Sequence, residues 1–204
     1  MIYMRIDQIM LGQIKDNRAV GIYAVVMKLA EVWYFIPTVI ISSVFPSIVK
    51  AKQIGENLYY ERIQKLFNLC SVLAYAVAIP LSLFSNQIVT LLYGKQYAEA
   101  GPVLAIYVWA GVFVYLGAAI NTWEITEGLL KLAAITSAIG AVTNVFLNIF
   151  LISKYSIMGA TISTIISQFI ASCGAYAFFP ASRKVFIMQL KAILMLDVLK
   201  IIKR

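Results

Sequence analysis

Uncharged apolar runs of bilayer-spanning length recur along this sequence and constrain it more than any other feature. Residues 66–94, 101–123, 132–153 and 155–182 carry no charged side chain, and residues 19–49 carry only Lys28 and Glu31. Each run reaches or exceeds the roughly 20 residues a helix needs to cross about 30 Å of hydrocarbon. Lipid offers no partner to backbone N–H and C=O groups, so each run must satisfy them internally as a helix or within a closed barrel. A continuous apolar run lacks the alternation of a barrel strand. The sequence therefore predicts an all-α membrane protein, a polytopic transmembrane helix bundle with five full spans. With 62% of its 204 residues hydrophobic and only 13% charged, the chain is far more apolar than a soluble domain.

The same residues exclude several function classes. A net charge of +8 could suggest nucleic acid, but the cations are interleaved with the apolar runs instead of gathered on a polar domain, so membrane lipid is the expected acidic partner. Cys70 and Cys173 both fall inside spans and read as small buried hydrophobes, with no disulfide framework or metal site implied. There is no histidine, hence neither the commonest general base nor the commonest metal ligand. No phosphate-cradling Gly-rich loop or nucleophile elbow is found, so neither catalysis nor a cofactor is expected.

Charge in the connections predicts topology. Lys50, Lys52, Arg62 and Lys65 flank the first connection, Lys131 lies in the third, and Arg183, Lys184, Lys191, Lys200, Lys203 and Arg204 follow the last span. Only Lys15, Arg18, Lys95 and Lys154 mark the other side. Lys and Arg in short loops favour the cytoplasm, which places the first and third connections and the C-terminus inside. The chain thus divides into a transmembrane lobe over 1–182 and a basic amphipathic tail over 183–204, expected to lie on the inner leaflet. Residues 1–13 carry Arg5 and Asp7, are too short to cross, and read as the end of a span.

Within the spans, charge and polarity single out candidate site residues. A Lys or Glu at the bilayer centre costs roughly 2.5–3.5 kcal/mol, so Lys28 and Glu31, three apart on one helical face, should face protein or water and each other. Tyr34, Thr38 and Ser42 extend that face into a polar stripe suited to an aqueous cleft. An ion pair that snorkels to the headgroups is the alternative. Thr136, Gly140, Asn144 and Asn148 recur every four residues in a later span, and Gly159, Ser163, Ser167 and Ala171 form a small-residue ridge; both patterns read as helix packing. Asn121, Glu124 and Glu127 close the third full span and read as a solvated helix end. Pro37 and Pro80 fall inside spans and invite bends.

The stretches RIDQIMLGQI, AVGIYAVVMKLAEVWYFIP, SSVFPSIVKAK, LLYGKQYAEAGPVLAIYVWAGVFVYLG and NVFLNIFLISKYSIMGATISTIIS carry a family likeness. They resemble the second half of the polysaccharide flippases that move lipid-linked O-antigen units, members of the multidrug/oligosaccharidyl-lipid/polysaccharide exporter superfamily. The likeness runs from Arg5 to about Ser167. It implies a V-shaped transporter of two six-helix lobes in the bacterial inner membrane, in which the five spans are helices eight to twelve and residues 1–13 end helix seven. Two departures stand out: the first lobe is missing, and Ser156 occupies a position where such proteins often have Gly.

The resemblance implies a cargo of undecaprenyl-diphosphate-linked oligosaccharide. Lys28 would then attract the diphosphate, Glu31 would hold Lys28 and limit its affinity, and Tyr34, Thr38 and Ser42 would meet the sugars, with Trp33 in reserve. By the same likeness, Arg5 and Asp7 border the cavity. A missing N-terminal lobe, or a second copy of the chain, would complete the pathway. A cation-coupled multidrug exporter is the nearest competitor, for which a net acidic cavity is expected, and a lobe without independent activity is the other alternative.

Overall fold

The apolar runs fold as helices whose ends are set by identifiable caps and breakers. In the computed structural model, which describes residues 5–196, nine α-helices are found: α1 (Ile6–Ile14), α2 (Asn17–Glu31), α3 (Phe35–Ile54), α4 (Glu56–Leu83), α5 (Ser85–Tyr93), α6 (Ala100–Tyr107), α7 (Ala110–Glu127), α8 (Leu130–Ser172) and α9 (Arg183–Ile193). Asp16 caps α2 by accepting the Ala19 amide at 2.7 Å, an interaction worth about 1 kcal/mol. Gly128 ends α7 in the left-handed region (φ 71°), and the Leu129 amide reaches back to the Glu124 carbonyl at 2.8 Å. That geometry needs a residue without a Cβ.

Four continuous helical stretches are long and apolar enough to span a membrane: Asn17–Ile54, Glu56–Leu83, Ala100–Glu127 and Leu130–Ala177. The last, at 48 residues, is about twice the length one crossing requires. It is two limbs, 130–155 and 157–172, that reverse direction at Ser156, where the backbone turns to φ 53°, ψ −129°. Opposed residues close in on that turn: Thr136 faces Tyr176, Gly140 faces Ala171 and Asn144 faces Ser167. A Cβ on Gly159 would overlap the Leu151 carbonyl, so the limbs meet this closely only because glycine stands there. The small-residue ridge therefore seats against the limb before it, and the fourth stretch supplies two of the five expected spans.

Pro37 shapes the first long stretch. It has no N–H to return to the carbonyl of Trp33, and the chain tightens into a 3₁₀ turn over Val32–Tyr34 before α3 begins. The freed Trp33 carbonyl accepts the Tyr115 hydroxyl of α7 at 2.8 Å. Pro80 precedes the end of α4 by three residues.

Two apolar cores hold the bundle. One joins α3, α4, α7 and α9 around Ile48, Phe67, Tyr115, Leu116 and Trp123. The other joins α1, α2, α5 and α6 around Leu11, Tyr23, Val26 and Leu104, with Ile152 and Ala160 of α8. Polar links at the two ends sort the connections as their charges predict. Lys52 pairs with Glu127 at 2.9 Å and Lys184 stacks 3.2 Å from the Tyr60 ring, uniting the first connection, the third and the tail. At the other end Arg18 pairs with Glu99 at 2.6 Å and Lys15 donates to the Ser153 carbonyl at 2.9 Å. Val185, Met188, Gln189 and Ala192 of α9 are buried, and its Met188 and Ile193 carbonyls accept from Gln64 and Tyr75 of α4. Lys200, Lys203 and Arg204 lie outside the described residues.

Candidate functional site

A groove runs between α3 and α7, formed by three adjoining hollows of about 370, 590 and 420 Å³. Thr38 and Ser42 of α3, with Tyr34 from the turn before it, line one wall, while Gly117, Ala118 and Asn121 line the α7 wall. Small residues on α7 keep the groove open, and Asn121 projects an amide into it. The Thr38 hydroxyl donates to the Tyr34 carbonyl at 3.5 Å and the Ser42 hydroxyl to the Val39 carbonyl at 2.8 Å. With their protons directed at the helix backbone, both oxygens offer lone pairs outward. Pro46, also in the wall, lacks the amide that would pair with the Ser42 carbonyl, which adds another acceptor.

Charged residues stand at two places along the groove. At one end Glu124 is buried and accepts the Tyr176 hydroxyl at 2.7 Å, with Thr136 Oγ1 3.2 Å from that hydroxyl. The hydroxyl of Tyr34 is buried there without a hydrogen-bond partner. At the other end Lys52 lies at the mouth, held by Glu127 and by the Thr126 carbonyl at 2.7 Å. The surface is thus mostly apolar, with hydroxyl, amide and carbonyl groups spaced along it and the ion-paired Lys52 at its mouth. Such a lining can hold an amphiphilic ligand and offer hydrogen bonds to its polar groups.

The remaining expected residues are distributed differently. Lys28 is exposed and makes no ion pair with Glu31; among the described residues neither has an ion-pair partner within 4 Å. Glu31 is half-buried and accepts the Tyr107 hydroxyl of α6 at 3.3 Å. Lys28 and Glu31 both stand in α2, three apart, so spacing is not what separates them: the Glu31 carboxylate turns to the neighbouring α6, where Tyr107 supplies its donor, and Lys28 is left exposed. Arg5 is exposed. Asp7 does not border the groove.

Asp7 instead anchors a buried polar cluster between α1, α2 and both limbs of α8. Its Oδ1 accepts the Asn148 amide at 2.5 Å; its Oδ2 accepts Thr164 at 2.5 Å and Tyr23 at 3.0 Å. Asn148 also donates to Asn144 Oδ1 at 3.1 Å, and Asn144 reaches Ser167 at 3.4 Å. Asn148 Oδ1 is buried without a partner. Both halves of this cluster are visible in the sequence, a lone acid in an apolar segment and two Asn residues four apart. Their meeting, across 141 residues, is not. Likewise Glu124, read from the sequence as part of a solvated helix end, is buried by Tyr176, 52 residues later.

Comparison with known proteins places this geometry in context. The capsular polysaccharide biosynthesis protein CapF of Staphylococcus aureus is 24% identical over 175 residues, covering 85% of this chain and 44% of its own. The probable flippase AglR of Haloferax volcanii is 26% identical over 180 residues, covering 84% of this chain and 37% of its own. A probable low-salt glycan biosynthesis flippase of the same archaeon is 23% identical over 173 residues. The chain spans less than half the length of these relatives. No solved structure matches it. Residues 1–102, half of the sequence and the segment that supplies α1 to α5 and the α3 wall of the groove, match the polysaccharide biosynthesis protein family, and the chain belongs to that family.

Proposed function

We propose that the chain is one lobe, over 1–182, of a two-lobe membrane carrier that moves a lipid-linked glycan between leaflets. Its cargo on this reading is an undecaprenyl-diphosphate-linked O-antigen repeat unit, carried across the bacterial inner membrane with the tail, 183–204, on the cytoplasmic side. The observation that carries the proposal is the α3–α7 groove: a largely apolar surface along which Tyr34, Thr38, Ser42 and Asn121 place hydrogen-bonding groups. Flippase names among the relatives support transport of a glycan.

A diphosphate bearing sugars cannot enter hydrocarbon unaided, so a carrier must supply both charge compensation and hydrogen bonds. On this reading, cargo entering from the Lys52 end meets a cation first. Ser42, Thr38, Asn121 and Tyr34 then receive the sugar hydroxyls. Further along the same stretch stand Glu31 and the exposed Lys28, which compensates the diphosphate, with Arg5 beside them. Rocking of two lobes would expose the path to each side in turn.

The test is rescue of surface polysaccharide in a flippase-null strain by this chain alone and with a separately expressed first lobe. Rescue by the pair only is the expected result; rescue by neither refutes the reading. In a rescuing background, Lys28→Ala should abolish surface polysaccharide at normal expression. Unchanged polysaccharide removes Lys28 from the path.

A further inference from the structure

A separate crevice of about 300 Å³ opens between α3 and α4, on the side of α3 away from the groove. Its α3 wall is Val44, Ser47 and Ile48, its floor Leu58, Leu66 and Leu69, and its rim Glu61, Arg62 and Lys65. We infer that this crevice is a binding site for an anionic phospholipid, with the phosphate on Arg62 and Lys65 and an acyl chain along Val44, Leu66 and Leu69.

Three features argue for this occupant. The first is polarity along the bundle axis. Arg62 and Lys65 stand within the first ten residues of α4, next to the connection at Gly55, whereas Leu66 and Leu69 follow toward the middle of the span. From Arg62 to Leu69 the helix rises about 10 Å. The crevice is therefore charged at the membrane edge and apolar toward the membrane centre, the orientation a phospholipid has in either leaflet.

The second is charge. Lys65 pairs with Glu61 at 2.6 Å, while Arg62 has no acidic partner within 4 Å among the described residues. The rim thus carries two cations and one acid, leaving one positive charge uncompensated. A guanidinium presents a planar fork of donors suited to phosphate oxygens. The third is the apolar continuation. Leu69 at the end of the crevice and Val72 one turn beyond it leave 42% and 36% of their surface exposed, so a chain lying in the crevice continues onto an apolar exposed surface.

The experiment is native mass spectrometry of the delipidated chain in detergent, titrated in parallel with phosphatidylglycerol and phosphatidylcholine of identical acyl chains. One uncompensated cation at a membrane surface corresponds to a preference of about fivefold for the anionic lipid. Arg62→Gln should erase that preference. Glu61→Gln, which removes the competing carboxylate, should raise it by about another fivefold. Val44→Trp, which fills the crevice, should lower retention of phosphatidylglycerol. Equal retention of the two lipids by the wild type, a preference that survives Arg62→Gln, or full phosphatidylglycerol retention by Val44→Trp would each overturn the assignment. None of these readouts depends on transport, so the site stands or falls independently of the flippase proposal.

Discussion

Replacing Asp7 separates two accounts of the buried cluster, one in which the carboxylate acts as a hydrogen-bond acceptor and one in which its charge is essential. Asp7→Leu keeps roughly the same shape and leaves Tyr23, Thr164 and Asn148 without their shared acceptor. Hydrogen bonds between membrane helices average about 0.6 kcal/mol each, whereas those to charged groups reach about 1.5–3 kcal/mol. Three such bonds together are worth between about 2 and about 9 kcal/mol, and we take about 3 kcal/mol, near the membrane-helix average, as the expected loss. For a chain of this size that corresponds to a fall of about 10 °C in melting temperature. Asp7→Asn behaves differently. Its oxygen still accepts from Tyr23 and Thr164, and its new amide would face the Asn148 amide. Rotation of the Asn148 and Asn144 amides together then lets Asn148 Oδ1, the atom now buried without a partner, accept from the new amide and from Asn144, while Asn144 Oδ1 accepts the Ser167 hydroxyl. The cluster closes again, and the cost should stay below about 1 kcal/mol. Thermal unfolding in detergent, followed by intrinsic fluorescence, measures both variants. A melting temperature for Asp7→Leu within about 2 °C of wild type would show that the cluster contributes nothing to holding α1 against α8. Equal losses for Asp7→Asn and Asp7→Leu would refute the acceptor account in favour of charge.

Other positions make shorter predictions. Ser156 holds φ 53°, ψ −129°, a conformation that costs a non-glycine residue about 1–3 kcal/mol, so Ser156→Gly should raise the melting temperature by several degrees. Gly159→Val, which forces a side chain into the Leu151 carbonyl, should cost about 4 kcal/mol or more and be read as loss of folded protein on size-exclusion chromatography. Tyr115→Phe removes the donor to the Trp33 carbonyl that Pro37 leaves free and should cost about 1 kcal/mol in the same thermal assay.

Much of the architecture was legible residue by residue. Residues 19–49, 66–94, 101–123, 132–153 and 155–182 read as spans because length and the absence of charge leave a backbone in lipid no alternative to the helix. The connections sorted correctly into two ends because Lys and Arg cluster on one of them, and the Lys52–Glu127 and Arg18–Glu99 pairs join connections within each set. Tyr34, Thr38 and Ser42 reached the groove because a stripe on a helix is a local property. The pairing of Lys28 with Glu31 failed although both stand three apart in α2, because Glu31 turns to the Tyr107 hydroxyl of α6, 76 residues on, a partner that spacing along the chain does not show.

What the sequence by itself determined is therefore what depends on neighbours along the chain: membrane residence, which runs are helical, how the connections group at two ends and the polar face of α3. What only the tertiary structure decided is which of those faces meet. Glu124 passes from an expected solvated end to a buried acceptor because Tyr176 covers it. Asp7 passes from cavity lining to the centre of a four-sided cluster because α8 folds back at Ser156 and brings Asn148 and Thr164 to the same carboxylate. A buried carboxylate is stable only when its oxygens are satisfied; apart from Tyr23, 16 residues from Asp7, the donors that satisfy these two lie 52, 141 and 157 residues away, beyond the reach of any periodicity in the chain.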